Sequence, residues 1–117
     1  MRNIIKKHED FLMTENDQTA RAAMFFIRAK PAKIPDDPRY GLMATKRTFR
    51  LAVDRNRAKR LLRDWIRYNE KLMVAQWDYV FIARRAILDA SRTDGRVAMR
   101  KALRYLGRLH DKQKSEK

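Results

Sequence analysis

Asp54-Arg55-Asn56-Arg57-Ala58-Lys59-Arg60-Leu61-Leu62-Arg63-Asp64-Trp65-Ile66-Arg67 is the stretch whose reading decides the fold. At about 100° per residue, a helix gathers Arg55, Asn56, Lys59, Arg60, Arg63 and Arg67 within about 140° on one side. Ala58, Leu61, Leu62, Trp65 and the later Leu72 fall opposite, so one face packs and the other presents cations. Asp54 suits an N-cap or first-turn acid, and the helical pattern continues to about Met73. From Lys46 to Arg67, nine cations (46, 47, 50, 55, 57, 59, 60, 63, 67) face only Asp54 and Asp64. Like charges at i,i+4, such as Arg55, Lys59, Arg63 and Arg67, destabilise an isolated helix by about 0.2–0.5 kcal/mol per pair. A merely solvated face normally mixes signs, so this excess points to phosphate. Arginine predominates, and its planar fork binds phosphate bidentately or stacks on a base. Asn56, a neutral amide among cations, reads either as a contact to a sugar hydroxyl or base edge, or as surface decoration.

On either side lie strand patterns. Ala22 to Lys30 holds Phe25, Phe26 and Ile27, and Arg39 to Lys46 alternates Tyr40, Leu42 and Ala44 against Gly41, Met43 and Thr45. Trp77 to Arg84 carries Tyr79-Val80-Phe81-Ile82, a run suited to a strand covered on both faces. Pro31, Pro35 and Pro38 make the intervening segment a connector, and its Asp36-Asp37 pair reads as turn chemistry. A short helix is expected from Lys6 to about Glu15. A second begins after the capping signal Ser91-Arg92-Thr93-Asp94, with an apolar stripe of Met99, Ala102, Leu103, Leu106 and Leu109. Asp111 to Lys117 reads as a polar tail.

The whole chain has 117 residues, one domain's worth (1–117), with a formal net charge of +15 and 44% apolar residues. That charge calls for a polyanion, while the apolar fraction suffices for a modest core. The absence of cysteine excludes disulfide scaffolds and thiolate chemistry and fits a reducing cytoplasm. MRNIIKKHED lacks the apolar region of a secretion signal, and the longest apolar run, Ala22 to Ile27, falls far short of the roughly 20 residues that span a bilayer. No carboxylate cluster suggests a two-metal site, and His8 and His110 read as surface residues. Trp65 and Trp77 read as packing residues.

Arg55-Asn56-Arg57-Ala58-Lys59-Arg60-Leu61-Leu62-Arg63 resembles the R-N-x-x-K-R-x-x-R signature of the bacterial ribonuclease P protein subunit family. Three further blocks agree in order. Lys6-Lys7-His8-Glu9-Asp10-Phe11 resembles the family's K-K-x-x-D-F. Arg39-Tyr40-Gly41-Leu42 followed by Lys46-Arg47 resembles its R-x-G-L strand and basic pair. Asp78-Tyr79-Val80-Phe81-Ile82-Ala83-Arg84 resembles its D-Y-x-x-x-A-R strand. The similarity covers about residues 6 to 109. Two departures stand out: Phe49-Arg50-Leu51-Ala52 replaces much of a Gly-Asn-Ala turn, and Glu15 stands where many members place a second aromatic.

The resemblance implies an α/β (α+β) two-layer sandwich, a small mixed sheet with the arginine-rich helix in a left-handed βαβ crossover, in the order α-β-β-β-α-β-α. Left-handed crossovers are rare, against about 98% right-handed ones. It implies a protein subunit that binds the catalytic RNA and the 5′ leader of precursor tRNA in the bacterial cytoplasm. Cleavage would reside in the RNA, with Mg2+ held by RNA and substrate rather than by a protein site. Ribonuclease P RNA and precursor tRNA are the implied partners, with neither a membrane nor an obligate protein partner. By the same resemblance Lys46, Arg47, Arg55, Asn56, Arg57 and Arg60 face the catalytic RNA, and Phe11, Lys59 and Arg63 line the leader cleft. Phe11 also reads as a core residue, and at least one of Phe25 and Phe26 must be core because alternate strand residues face opposite ways. Composition alone fits a stand-alone ribosomal or assembly protein equally well, and it is the four ordered blocks that favour ribonuclease P.

Overall fold

The computed structural model describes residues 3–6, 11, 17–34 and 36–115. Five strands form one mixed sheet: β1 (Asn3–Ile4), β2 (Gln18–Arg21), β3 (Phe25–Pro31), β4 (Arg39–Met43) and β5 (Trp77–Ala83), in the spatial order β1-β4-β5-β3-β2. Two helices, α1 (Ala52–Tyr68) and α2 (Arg92–Ser115), cover one side of it. α1 connects β4 to β5, which are parallel neighbours in the register Tyr40↔Tyr79 to Met43↔Ile82.

Each strand's composition explains its place. β5 is buried at every residue but Ile82, as expected of a strand covered on both faces. β3 alternates buried Phe25, Ile27 and Ala29 with half-exposed Phe26, Arg28 and Lys30, the period-two pattern of a strand with one wetter face. It starts at Phe25 rather than Ala22, because the chain turns there and the Ala22 N–H donates to the Phe25 carbonyl at 2.9 Å. The turn leads back into β2, one of the three strands before α1 in the order the resemblance implied, which the residue pattern had not located. Gln18-Thr19-Ala20-Arg21 has no apolar alternation and is held by antiparallel backbone pairing with β3. β1 was likewise missed; it pairs in parallel with Arg39 and Tyr40 and buries the following Ile5. β4 ends at Met43, before the turn at 46–48.

α1 buries Ala58, Leu62, Trp65 and Ile66. Leu51 stands at its N-cap without a side-chain bond, so Asp54 is a first-turn acid and not the cap. The helix stops at Tyr68, short of Met73. The buried Asn69 amide donates to the Trp65 and Arg96 carbonyls, both at 3.0 Å, closing α1 and tying it to α2. Leu72 therefore reaches the core from a separate 3-10 turn, Glu70–Leu72. The Ser91 hydroxyl accepts the Asp94 N–H at 3.0 Å, the expected cap of α2. Met99, Ala102, Leu103 and Leu106 face the core, with Leu109 packed beside them. α2 continues through Ser115, so most of the expected tail is helical: the i→i−4 pattern persists beyond the last apolar contact. Of the helix expected from Lys6 to Glu15, only Lys6, which is not helical, and Phe11 are among the described residues.

Gly95 lies where α2 crosses α1, and a Cβ there would overlap the Trp65 indole. Gly to Ala inside a helix ordinarily gains about 1 kcal/mol. Here the clash reverses the sign, and Gly95→Ala is expected to cost about 1–3 kcal/mol, typical of overpacking. Gly107, with nothing within 4 Å of a Cβ, is the control, and Gly107→Ala should stabilise. Urea unfolding of both variants measures this, and stabilisation by both would show that the crossing relaxes freely.

Candidate nucleic-acid interface

The loop before α1 is a hydroxyl-closed turn. Thr45 Oγ1 accepts the Thr48 N–H at 3.2 Å and the Thr45 carbonyl accepts the Phe49 N–H at 2.8 Å. Phe49 enters the core at 2% exposure, while Lys46 and Arg47 are exposed at the tip. Arg55 Nη1 donates to the carbonyls of Phe49 and Arg50, at 2.9 and 3.2 Å. Expected at the RNA surface, the Arg55 guanidinium spends this edge on its own chain, where it holds the Lys46–Arg47 loop in place. This loop takes the place of the Gly-Asn-Ala turn.

Along α1, Asn56, Arg57, Arg60 and Arg67 are exposed, and Lys59 and Arg63 half-buried. Arg57 and Arg60 line a groove of about 370 Å³ with Leu61, Asp64, Trp65 and, across from α1, Arg92 of α2. Asp64 is not available to neutralise them. It accepts two hydrogen bonds from Arg96, at 3.1 and 3.2 Å. The bond to Asp64 raises the Arg96 pKa above its ordinary value, so this guanidinium stays charged. Arg96 also lies 4.3 Å from the Tyr68 ring centroid, a cation–π contact. Among the described residues, Arg57, Arg60 and Arg92 have no carboxylate partner. Trp65 Nε1 is buried and unpartnered among the described residues. Arg92 escaped sequence analysis because only the packing of α2 on α1 brings it to the α1 cations.

Arg57 thus lies outside the arc of about 140° that gathers Arg55, Lys59, Arg60 and Arg63. Arg57 and Lys59 stand about 200° apart around the helix axis. Arg57 and Arg60 line the groove against α2, whereas Lys59 and Arg63 are not among its lining residues.

Phe11 is half-buried, with its ring against β4: a Cβ on Gly41 would lie 2.7 Å from Cζ, so only glycine admits it. Gly41 pairs with Val80, and Val80 with Arg28, which places Phe11 on the face of the sheet away from the helices, together with Phe26, Arg28 and Lys30. Arg28 sits 5.4 Å from the Phe26 ring centroid. Phe25 is core and Phe26 is not, as alternation requires. Trp65 and Trp77 are buried, as read from sequence. His110 is not simply a surface residue: its ring packs edge-on against Trp77, with centroids 5.0 Å apart, because α2 extends past the end of β5. Asp36 and Asp37 lie in a turn where the Asp37 N–H donates to the Ile34 carbonyl at 2.9 Å. His8 and Glu15 lie outside the described residues. Among the described residues, no group of three or more His, Cys, Asp or Glu could hold a metal ion. Nor, among them, is any helix long and apolar enough to cross a membrane.

A family model described as Ribonuclease P matches residues 1–107. The ribonuclease P protein component of Pseudomonas paraeruginosa is 48% identical over 52 residues, 44% of this chain and 38% of that protein. That of Pseudomonas savastanoi pv. phaseolicola is 36% identical over 74 residues, 63% of this chain and 50% of its own length. The matches thus span from about 38% to 50% of the length of these relatives. Among solved structures, the RNase P protein of Staphylococcus aureus aligns with a TM-score of 0.73 at 22% identity, covering 91% of this chain and 96% of that one. The RNase P protein of Thermotoga maritima aligns at 0.72 and 18% identity, covering 89% and 97%. At such identities the likeness is one of fold.

Proposed function

Because the chain belongs to the Ribonuclease P protein family, we propose that it serves as the protein component of a ribonucleoprotein that removes the 5′ leader from precursor tRNA in the bacterial cytoplasm. The observation that carries the reading is the uncompensated cation groove, Arg57 and Arg60 on α1 with Arg92 on α2, beside an acid already committed to Arg96. Guanidinium groups without carboxylate partners are placed for phosphate oxygens, which they bind bidentately. Arg57, Arg60 and Asn56, with Lys46 and Arg47 on the loop that Arg55 holds, would grip the catalytic RNA.

The second surface serves the leader. Phe11, Phe26 and Arg28 on the open sheet face supply rings and charge, and stacking on an aromatic is worth about 1–3 kcal/mol per base whatever the sequence. Lys59 and Arg63, half-buried on α1, would add cations for the leader phosphates. Cleavage adds water to phosphorus and breaks the bond to the leader's 3′ oxygen, leaving a 5′-phosphate on the tRNA and a hydroxyl on the leader. We assign the Mg2+ to RNA and substrate, as the family resemblance implies. This chain's part is to bind, orient and neutralise.

The test adds the purified chain to precursor tRNA at low Mg2+, with and without a bacterial ribonuclease P RNA. Stimulation only when the RNA is present supports the reading. Cleavage by the polypeptide alone, or no stimulation in either case, overturns it, the latter favouring a stand-alone RNA-binding protein. Lys59→Ala should then weaken binding of precursor tRNA to the assembled enzyme several-fold more than binding of mature tRNA. Equal losses for the two would remove the leader assignment.

A further inference from the structure

We propose that the outer face of α2, with the groove it forms against β2, is a second RNA contact that takes a single-stranded segment, separate from both surfaces of α1 and the open sheet. Arg100, Lys101, Arg104 and Arg108 are exposed on this face, and from Arg96 to Lys112 the only acid is Asp111. Among the described residues, none of the four has a carboxylate partner. Arg100, Arg104 and Arg108 follow one another at i,i+4, so like charges stack along one ridge, which disfavours the helix until an anion lies on it. Beside the ridge runs an open groove of about 550 Å³ between α2 and β2, the edge strand of the sheet. Ala20, Ala22, Ala98 and Ala102 line it with small side chains, Arg21 and Lys101 add charge, and Tyr105, 44% exposed and without a ring partner among the described residues, forms a wall.

A small-residue cleft with one free ring and flanking cations suits a flat base on Tyr105 with its phosphates on Lys101, Arg104 and Arg21. A duplex, with its bases paired and stacked inward, has no base to offer the ring. Charge and ring argue for a single strand; the choice of RNA as the polymer rests on the proposed function.

The experiment measures anisotropy of a fluorescein-labelled 12-nucleotide oligouridylate with the full chain across a salt series. Tyr105→Ala should weaken binding roughly five- to tenfold, the low end of what stacking one base provides, and Tyr105→Phe should not. The double variant Arg104→Gln/Arg108→Gln should lower the log–log salt slope by about 1.4, two single-strand phosphate contacts' worth. Both losses should persist undiminished in a Lys59→Ala/Arg63→Ala background, which disables the leader flank. Unchanged affinity in Tyr105→Ala, or an equal loss for an RNA duplex of the same length, overturns the proposal. Failure of the chain to stimulate a ribonuclease P RNA would overturn the proposed function instead and leave these binding outcomes to be read independently.

Discussion

Removal of both Arg57 and Arg60 is expected to reduce association with a ribonuclease P RNA by about two to four orders of magnitude. Each guanidinium lines the groove between α1 and α2 and has no carboxylate partner among the described residues. Hydrogen bonds to charged groups contribute about 1.5–3 kcal/mol each, so two lost contacts total about 3–6 kcal/mol. The salt dependence separates lost contacts from a damaged fold: each phosphate contact contributes about 0.7–0.9 to the log–log slope, and the double alanine variant should flatten it by about 1.4–1.8. Both side chains are exposed, so the variant should unfold at the same urea concentration as the parent. Arg57→Lys/Arg60→Lys keeps the charge and loses the fork, and should recover most of the slope but only part of the affinity. A slope unaltered in the alanine variant would show that neither residue meets phosphate.

Asp78→Ala is expected to cost about 3–5 kcal/mol of folding stability, the usual result of removing one partner from a buried charge pair. Asp78 is fully buried. Its Oδ1 accepts the Arg39 N–H at 2.7 Å, and its Oδ2 accepts the Lys33 N–H at 3.3 Å and Arg39 Nη2 at 3.2 Å. One carboxylate on β5 therefore anchors the proline-rich connector and the start of β4. Alanine would strand an arginine that is only 13% exposed together with two backbone donors. Against a total stability of about 5–15 kcal/mol, that loss leaves the fold marginal at best. Asp78→Asn preserves the shape and one acceptor and should fall between the two. Urea denaturation followed by circular dichroism measures both, and a loss below about 1 kcal/mol for alanine would mean that solvent reaches the site and replaces the carboxylate.

The same residue shows how far the sequence could be read. Asp78 stood within a recognisable D-Y block, yet nothing in the block says that its partners lie 39 and 45 positions earlier. The hydrogen bonds arise because the connector folds back along β5. Arg55 shows the same limit. Periodicity set it correctly on α1, but its reach to the Phe49 and Arg50 carbonyls depends on a loop path fixed by the burial of Phe49. Side-chain pattern did not locate β2 because a four-residue edge strand draws its stability from a neighbour's backbone, and backbone pairing leaves no signature there.

Short-range physics was sufficient for much else. The amphipathic periods placed α1, β3 to β5 and α2, the Ser91 cap placed the start of α2, and the charge excess identified a cationic face on α1. These follow from local geometry, in which residue spacing alone determines which side chains share a face. Only the tertiary structure decided which residues of other elements join the α1 cations. It set Arg92 opposite Arg57 and Arg60, drew Asp64 away to Arg96, and laid Phe11 on Gly41 across the sheet from the helices. Such groupings join residues distant in the chain, and their distances are set by helix crossing and strand order, quantities that no local pattern encodes.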